Sequence, residues 1–395
     1  MKYILLFILF ICSSNIIKAQ DTLSMRSGEA ILVKVMEVGT SEVKYKKIDN
    51  LNGPVFSILK SDLKRKIVVT GAAGFLGGRT AKFFASHFTN DQIIATSRRK
   101  ARENELNTSL CKFIAGDLCN VDFCESITQD AEIVIHCAAL SAPFGYYESF
   151  YQSNFIATKN ILESSIKNGV KKFVFISTPS IYFNYLDRFN VSEKEPLPKK
   201  MVNHYAQTKL LAEKLVLQYN NNGIETIALR PRAIIGAEDT VIFPRVLEAY
   251  YKRKLKIIGD GKNICDFTCV RNVIESIICA INAPKNAYGE AYNITDGKSY
   301  KFWDVLNYAL TALGEVPPTK RVPKFIALVA AGLLEFKAKM LDEKKEPLLT
   351  KYGVGILAND FTLDITKANK LLNYKPVMET FEGINEYILW HKSQL

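Results

Sequence analysis

The sequence predicts an α/β fold, a doubly wound parallel sheet with a smaller domain on its C-terminal side. Short β-branched segments alternate with helical patterns from residue 66 onward, and a glycine-rich turn joins the first strand to the first helix. Strands that alternate with helices form parallel sheets covered on both faces, and such sheets bind ligands at the carboxyl ends of their strands. The six predicted strands cover residues 66–70, 93–96, 113–115, 133–136, 173–176 and 226–229.

The composition is that of a globular protein and excludes two classes. The chain has 395 residues, of which 48% are hydrophobic and 23% charged, with a formal net charge of +12. No apolar run reaches the ~20 residues of a membrane-spanning helix, which argues against a polytopic membrane protein. The basic clusters are short and scattered, and no nucleic-acid-binding motif accompanies them. We therefore expect no nucleic-acid partner.

The first 64 residues differ in pattern from the rest. Residues 1–19 combine a basic start, an apolar run and small residues before a cleavage site, which is typical of a secretory signal peptide; the alternative is a buried first strand. Residues 20–64 alternate apolar and polar positions between turn signals and predict a small β-module. The seven cysteines beyond this segment lack C-x-x-C spacing, so we expect reduced thiols, a reducing compartment and no metal site. The indications of export and of a cytoplasmic location therefore conflict.

The turn after the first predicted strand carries glycines at every third position. Gly71 permits the sharp strand-to-helix turn, Gly74 lets backbone amides approach a pyrophosphate, and Gly77 lets the helix pack closely on the sheet. Phe75 and Leu76 lie within the same turn. A preceding strand and a following helix are the context that this motif requires, so the turn predicts a dinucleotide site; the alternative is a structural glycine-rich turn.

The end of the second predicted strand bears on the choice of dinucleotide. NAD-preferring sites usually have an acidic residue there, whereas this chain has Arg98 and Arg99. Two guanidinium groups suit a 2′-phosphate, so NADP(H) is favoured. In the NAD(H) alternative the arginines are solvated and Glu103 or Glu105 binds the ribose. Asp117, after the third strand, is expected to accept a hydrogen bond from the adenine amino group.

Tyr205 and Lys209 form a Y-x-x-x-K motif in a helical pattern over 204–220. Positions i and i+4 share a helix face, so Lys209 is expected to lower the pKa of the Tyr205 phenol from its usual value near ~10 and to bind the nicotinamide ribose. The motif alone occurs often by chance. It gains meaning here because it follows the hydroxyl-rich segment 175–182.

Taken in order, these motifs resemble the extended short-chain dehydrogenase/reductase superfamily, whose members include epimerase/dehydratase-like enzymes. Residues 138–143, 176–182 and 202–205 are most similar to its 3β-hydroxysteroid dehydrogenase-like branch, which includes 2-alkyl-3-oxoalkanoate reductases. The resemblance covers residues 65–395. It implies a Rossmann core over about 65–235 that returns to about 295, and a substrate domain made mainly of 182–200, 236–262 and 295–395.

The resemblance also implies roles for individual residues. Thr178 matches the catalytic hydroxyl, Tyr205 the general acid/base and Lys209 its activator. Asn154 matches a residue with a backbone-holding or proton-relay role, and the alternative is an ordinary polar helix residue. The implied reaction is NADP(H)-dependent hydride transfer on a carbonyl or secondary alcohol of a sterol-like or β-keto acyl substrate. Further cofactor-binding candidates are Leu118, Ala138, Ala139 and Pro231.

Two other functions remain as alternatives. Nucleotide-sugar members of the superfamily often bind the diphosphate through an arginine before an Asp-Phe-like segment, where this chain has Cys265, with Arg245 or Arg271 as substitutes. A nucleotide-sugar epimerase is therefore the first alternative. Dehydratases carry an Asp-Glu pair after the catalytic threonine, and Pro179 with Ser180 in that place argues against dehydration. A cofactor-binding regulator without turnover is the second alternative, and the intact catalytic set counts against it.

The segment 323–334 is apolar nearly all round in a helical pattern and is flanked by basic residues. One interpretation is a lid over a hydrophobic substrate that also touches a membrane surface. The other is a core helix. The expected partner is thus a small hydrophobic molecule, with peripheral membrane contact and a homodimer as open alternatives.

Overall fold

The computed structural model describes residues 21–25, 29–38, 42–59, 64–341 and 346–394, in two compact units that divide between Lys64 and Arg65. The predicted signal-like segment, 1–19, lies outside the described residues. The strands of the first unit are β1 (Asp21–Ser24), β2 (Ala30–Val38), β3 (Glu42–Lys47) and β4 (Phe56–Leu59). They pair in that order as an antiparallel meander, which is the predicted β-module.

The second unit alternates strands and helices along its length. Its strands are β5 (Lys66–Thr70), β6 (Gln92–Ser97), β7 (Cys111–Ala115), β8 (Ile133–His136), β9 (Lys172–Ile176), β10 (Arg188–Val191), β11 (Glu225–Pro231), β12 (Ile234–Ile235), β13 (Ile257–Ile258), β14 (Ile264–Asp266), β15 (Thr268–Cys269), β16 (Glu290–Ile294), β17 (Ser299–Lys301), β18 (Arg321–Val322) and β19 (Phe361–Leu363). Its helices are α1 (Phe75–His87), α2 (Glu103–Leu106), α3 (Val121–Thr128), α4 (Tyr147–Phe150), α5 (Ala157–Lys167), α6 (His204–Gln218), α7 (Ile242–Tyr251), α8 (Val270–Ile281), α9 (Phe302–Ala312), α10 (Lys324–Met340), α11 (Lys351–Ala358), α12 (Thr366–Leu371) and α13 (Thr380–Ser393).

The main sheet has seven parallel strands in the order β16-β11-β9-β8-β5-β6-β7. After β5 the chain adds strands on one side, and from β8 onward it adds them on the other. The carboxyl ends of β5 and β8 therefore flank the crevice where doubly wound sheets bind their ligands. The predicted fold class is confirmed, and the seventh strand, β16, lies in the expected return to about residue 295.

Side-chain alternation along the strands builds two cores, one on each face of the sheet. In β5, Ile67 and Val69 join the core that includes Phe84 of α1, whereas Val68 joins the core that includes Ile161 of α5. Because each strand is buried on both faces, it is apolar throughout, which is why the sequence shows continuous apolar runs here. This double burial holds the strand ends, and the loops that follow them, in fixed positions.

The helical region formed by α4 and α5 changes its helix type between the two. A π-helical turn, Tyr151–Ile156, joins α4 to α5. Such turns insert an extra residue into a helix and are frequent at functional sites. Here the turn contains the fully buried Asn154.

The C-terminal region forms smaller sheets and its own core. A four-stranded sheet has the order β10-β19-β14-β17, and two-stranded pairs join β12 to β15 and β13 to β18. Trp303 of α9 and Tyr387 of α13 are buried in a core separate from those of the main sheet. This region stands above the carboxyl edge of the main sheet, because β11 and β16 lead directly into it.

The apolar segment 323–334 belongs to the longer helix α10, and its packing excludes the core-helix interpretation. Its buried residues are Ala327, Ala331 and Ala338. Its large apolar side chains are exposed, among them Phe325, Ile326, Leu333, Phe336 and Met340. Within the described part of the chain, no helix is long and apolar enough to cross a membrane.

Candidate active site

The glycine turn after β5 is packed so closely that side chains are excluded at two positions. Gly71 has a φ of +72°, and a Cβ there would lie 2.8 Å from the backbone of Ala138. A Cβ at Gly77 would lie 2.4 Å from the Gly71 carbonyl oxygen. The turn brings the N-terminus of α1 to the crevice, where its free amides and positive dipole favour a phosphate. The residues present therefore fit a dinucleotide.

A cavity of about 1040 Å³ extends from this turn into the C-terminal region. It is lined by every predicted catalytic and cofactor-binding residue except Asn154: Gly71, Gly74, Phe75, Leu76, Gly77, Arg98, Arg99, Asp117, Leu118, Ala138, Ala139, Thr178, Tyr205, Lys209 and Pro231. These residues lie at or just after the carboxyl ends of six parallel strands, or on α1 and α6. The sheet topology is what brings them together, because the carboxyl ends of parallel strands meet at one edge.

Thr178 and Tyr205 lie next to one another in the cavity. Thr178 follows β9 and begins a short 3-10 turn, where its Oγ1 accepts a hydrogen bond from the backbone N–H of Ser180 at 3.2 Å. Burial raises the pKa of the Tyr205 phenol to about 12, although hydrogen bonding to Thr178 and to Ser141 acts in the opposite direction. The phenol therefore holds its proton at neutral pH.

The chain of hydroxyl groups continues into the C-terminal region. Thr178 Oγ1 donates to Ser180 Oγ at 3.0 Å, and Ser180 Oγ lies 2.7 Å from the hydroxyl of Tyr352 on α11. Sequence reasoning did not find Tyr352, since it lies in no motif. The contact joins the hydroxyls predicted to be catalytic to helix α11, whose Tyr352 also lines the cavity.

Lys209 is placed differently from expectation. It is 2% exposed, and its Nζ donates to the carbonyl oxygen of Ile176 at 2.6 Å and lies 3.9 Å from the ring centre of Phe175. Burial lowers the pKa of Lys209 to about 7. The expected lowering of the Tyr205 pKa by Lys209 is wrong for this arrangement, because burial of the phenol dominates and the ammonium group is held at the end of β9.

Asn154 does not reach the cavity. Its side-chain amide donates to the Leu140 carbonyl at 3.2 Å and to Thr208 Oγ1 at 3.1 Å, and its Oδ1 accepts from the Leu140 N–H at 2.7 Å. These bonds tie the segment after β8 to the helix that carries Tyr205. Of the two roles left open by the sequence, these hydrogen bonds fit the backbone-holding one, and the catalytic role of Asn154 stays a prediction.

The arginines after β6 are exposed at the edge of the cavity. In the part of the chain that the structure describes, the side chains of Arg98 and Arg99 form no ion pair or hydrogen bond. Glu105, one candidate for binding a ribose, is paired instead with Arg102 at 2.8 Å and also with Lys82. This arrangement leaves both predicted guanidinium groups available to a ligand.

Two arginines that the sequence analysis named as possible diphosphate ligands form ion pairs with glutamates instead. Arg245 lines the cavity but pairs with Glu346 at 3.1 Å. Arg271 pairs with Glu275 at 3.3 Å and lies 4.2 Å from the Phe83 ring centre, away from the cavity lining. The buried arginine that does line the cavity, Arg232, was missed by the sequence analysis. The sequence feature that could have identified Arg232 is its position directly after Pro231, a predicted cofactor-binding residue.

Comparison with known families assigns the chain. Residues 68–323 match the model of the 3-beta hydroxysteroid dehydrogenase/isomerase family. The chain belongs to this family. The predicted branch of the superfamily is thereby confirmed.

Proteins similar to this chain come from plants, animals and bacteria. 3beta-hydroxysteroid-dehydrogenase/decarboxylase isoform 1 of Arabidopsis thaliana is 34% identical over 289 residues, which is 70% of this chain and 66% of the plant protein. Sterol-4-alpha-carboxylate 3-dehydrogenase, decarboxylating, of Mus musculus is 30% identical over 82% of this chain and 90% of its own length. 2-Alkyl-3-oxoalkanoate reductase of Shewanella oneidensis is 28% identical over 80% and 84%. The chain thus spans just under two thirds of isoform 1, and it spans 52% of the plant isoform 2.

Solved structures agree on the fold. UDP-glucuronic acid 4-epimerase from Bacillus cereus, in complex with NAD, superposes with a TM-score of 0.65 at 24% identity, over 83% of this chain and 99% of that chain. The dTDP-glucose 4,6-dehydratase DesIV from Streptomyces venezuelae, with NAD and TYD bound, gives 0.67 at 18% identity over 83% and 97%. At these identities the likeness shows the Rossmann-like architecture that this family shares with epimerases and dehydratases.

Proposed function

We propose that the protein is an NADP(H)-dependent oxidoreductase that transfers a hydride between nicotinamide and a carbonyl or secondary alcohol of a hydrophobic substrate. One observation carries the proposal. A single cavity is lined at one end by the glycine turn and at the other by apolar side chains, with Thr178, Tyr205 and Lys209 also on its wall. A dinucleotide and a second molecule can therefore occupy the same cavity.

Each of the three residues on the cavity wall has a separate role in the proposed reaction. The cofactor, when bound, supplies the hydride in reduction and accepts it in oxidation. Tyr205 gives a proton to the oxygen of a reduced carbonyl, and its raised pKa keeps that proton in place at neutral pH. Thr178 holds the same oxygen through its hydroxyl. Lys209, held at the end of β9 by its bond to the Ile176 carbonyl, binds the nicotinamide ribose in this proposal.

The apolar lining supports a hydrophobic substrate. Beyond the catalytic hydroxyls the wall is formed mainly by apolar side chains, including those of Phe267, Phe302, Leu334, Leu349, Ile356 and Leu357. Family members similar to this chain are named for sterol carboxylates and for 2-alkyl-3-oxoalkanoates, which are hydrophobic molecules with an oxygen function. Arg245, which the sequence offered as a ligand for a diphosphate, is already paired with Glu346, which supports a hydrophobic substrate over a nucleotide sugar.

The function is tested by assaying the full chain with NADPH and NADH against steroid, β-keto acyl and UDP-hexose substrates. We expect turnover of a steroid or β-keto acyl compound. Turnover of UDP-hexose alone would assign the epimerase alternative instead. Cofactor binding without turnover of any substrate class would favour the regulator.

Arg98 is expected to select NADP(H). Replacing Arg98 with alanine removes a charge-assisted contact with the 2′-phosphate, so the affinity for NADPH is expected to fall about 10- to 100-fold while that for NADH stays unchanged. Fluorescence titration of both cofactors measures the effect. Lys100→Ala is the matched control, because Lys100 is an exposed neighbour outside the cavity lining. An unchanged ratio of the two affinities in Arg98→Ala would contradict the assignment.

The exposed apolar face of α10 supports contact with a membrane surface. Phe325, Ile326 and Phe336 are 75%, 56% and 62% exposed on this helix. Lys337 and Lys339 are exposed on the same helix and suit anionic headgroups. Leu334, also on α10, lines the cavity, so the helix borders both the proposed membrane face and the substrate space.

A sedimentation assay tests this contact. We expect the full chain to sediment with vesicles that contain anionic lipid, and we expect the double variant Phe325→Ser/Phe336→Ser to remain in the supernatant. Leu389→Ser is the control, because Leu389 is 71% exposed on α13, a different helix. Equal sedimentation of all three proteins would contradict the proposed contact of α10 with the membrane surface.

A further inference from the structure

Three basic side chains lie where the cavity opens to solvent. Lys254 and Lys256 are exposed and also line the cavity, so the cavity reaches the protein surface beside them. Lys320 is exposed on the strand-forming segment next to Lys256. Among the residues that the structure describes, none of these three ammonium groups forms an ion pair or a hydrogen bond. We call Lys254, Lys256 and Lys320 the basic rim.

The backbone holds the first two residues of the basic rim in place. The N–H groups of Lys254 and Leu255 both donate to the carbonyl oxygen of Ala249, near the end of α7, at 2.8 and 3.0 Å. Ile257 is buried in the core of the C-terminal region, and Leu255 packs against that core. The apolar residues on either side of Lys256 thus fix the segment, so both lysines stay at the opening of the cavity.

Strand pairing brings the third lysine beside them. β13 and β18 pair in parallel with Ile257 opposite Arg321, and the Ile257 N–H donates to the Lys320 carbonyl oxygen at 2.9 Å. Lys256 and Lys320 directly precede this pair, on chain segments spaced by about 4.8 Å. Like charges on neighbouring strands repel one another. No carboxylate of the described ranges lies within ion-pair distance of either lysine, so a bound anion would relieve the repulsion.

We propose that the basic rim binds the phosphate groups of a nucleotide carrier, so that the substrate arrives as an acyl thioester of coenzyme A. The proposal rests on the proposed function and names the form of its acyl substrate. Three cations at the opening match several phosphate charges, whereas a single carboxylate would balance one. The cavity wall beyond the basic rim is largely apolar, with Leu334 and Leu349. It suits the acyl chain and the narrow arm that joins it to the phosphates.

The position of the basic rim favours such a carrier over the headgroups of a membrane. Lys337 and Lys339, which are exposed on α10, lie outside the cavity lining, whereas Lys254 and Lys256 belong to it. An anion bound by Lys254 and Lys256 therefore lies at the entrance to the substrate space. A thioester of coenzyme A carries its own phosphates to this entrance while its acyl group enters the cavity.

The test compares two thioesters of the same acyl chain. Decanoyl-coenzyme A carries phosphates, decanoyl-N-acetylcysteamine carries none, and neither has an oxygen on C3 to react. Their binding is measured by calorimetry on the full chain with saturating NADP⁺, which keeps coenzyme A out of the dinucleotide site. We expect decanoyl-coenzyme A to bind about 10- to 100-fold more tightly, the range for charge-assisted hydrogen bonds. Added salt is expected to narrow this difference.

The double variant Lys254→Gln/Lys256→Gln is expected to lose most of the difference between the two thioesters. Lys262→Gln is the matched control, because Lys262 is an exposed lysine of the same region outside the cavity lining, and it is expected to keep the whole difference. Equal binding of both thioesters by the native protein, binding of neither, or a parallel loss of both in the double variant would overturn the proposal. Release of NADP⁺ by decanoyl-coenzyme A would overturn it too, since the carrier would then occupy the dinucleotide site.

Vesicle sedimentation gives the second arm of the test. The double variant is expected to sediment with anionic vesicles as the native protein does. Loss of sedimentation in the double variant, together with equal binding of the two thioesters by the native protein, would assign the basic rim to a membrane surface and contradict the proposal.

Failure of this proposal is distinguishable from failure of the proposed function. A preference for decanoyl-coenzyme A that depends on Lys254 and Lys256, without turnover of 3-oxodecanoyl-coenzyme A or any other substrate, would support the basic rim and contradict the reaction. Equal kcat/KM for 3-oxodecanoyl-coenzyme A and its N-acetylcysteamine counterpart would support the reaction and contradict the basic rim. Tight binding and turnover of UDP-glucose that depend on the same two lysines would contradict both.

Discussion

Tyr205→Phe is expected to lower kcat for carbonyl reduction by about 10²- to 10⁴-fold, the usual contribution of a positioned general acid. The substitution removes the phenol that hydrogen bonds with Thr178 and Ser141 but keeps the ring that fills the site. Cofactor affinity is expected to stay unchanged, because the glycine turn and Lys209 are untouched. NADPH absorbance measures the rate, and fluorescence titration measures cofactor affinity.

Tyr352→Phe is the matched control for this loss. It removes a hydroxyl from the same group of neighbouring hydroxyls, one that is hydrogen-bonded to Ser180 and acts on Tyr205 through charge. We expect it to lower kcat much less than Tyr205→Phe does. Comparable losses in the two variants would show that the proton comes from the group as a whole and not from Tyr205.

The raised pKa of Tyr205 also determines the direction in which the rates of reduction and oxidation change with pH. With a pKa of about 12, the phenol is protonated throughout pH 8–10, so reduction does not gain from rising pH. Oxidation needs the phenolate as base, and its population rises about tenfold for each pH unit below the pKa. Lys209, with a pKa of about 7, is already largely neutral over this range. An oxidation rate that is independent of pH between 8 and 10 would rule out Tyr205 as the base.

Glu213→Leu is expected to destabilise the protein by about 3–5 kcal/mol, the usual cost of removing one partner from a buried ion pair. Glu213 and Arg230 have side chains that are 3% and 8% exposed, and Arg230 also donates to the hydroxyl of Tyr182. Removing the carboxylate leaves the guanidinium buried and unpaired. Denaturant unfolding of the full chain measures the loss.

A double variant distinguishes the cost of the unpaired charge from the cost of altered packing. Glu213→Leu/Arg230→Met replaces both charges with apolar groups, so we expect it to recover much of the lost stability. If the double variant is no more stable than Glu213→Leu, the cost comes from packing and not from the unpaired charge. A loss below about 1 kcal/mol in Glu213→Leu would show that water reaches Arg230.

Most of the fold, and most of the candidate catalytic residues, could be predicted from local spacing in the sequence. The glycines of the turn, the residues of Y-x-x-x-K and Thr178 each lie within a few positions of a strand or helix whose pattern is strong. Their convergence follows from the parallel sheet, since each strand ends at the same edge. The sequence was therefore sufficient to predict that Thr178 and Tyr205 would meet.

The remaining features depend on contacts between distant segments. Tyr352 meets Ser180 across 172 positions, and no local pattern signals that contact. The direction of the Tyr205 pKa depends on burial, which is a property of the folded cavity. Helix α10 is apolar on most sides, so its pattern fits a buried helix and an exposed one equally well. Only its packing through three alanines decides between them.

The cavity is built by two stretches of chain that differ in how their residues are held in place. The part before Arg232 supplies the glycine turn, the hydroxyls and the lysine, whose positions are set by a sheet buried on both faces. Most of the apolar wall comes from residues beyond it, many on short helices with their own separate cores. Under the proposed function, substitutions in the second stretch can therefore alter which molecule is accepted while the proposed hydride transfer is preserved, so substrate range and catalytic chemistry can diverge independently in evolution.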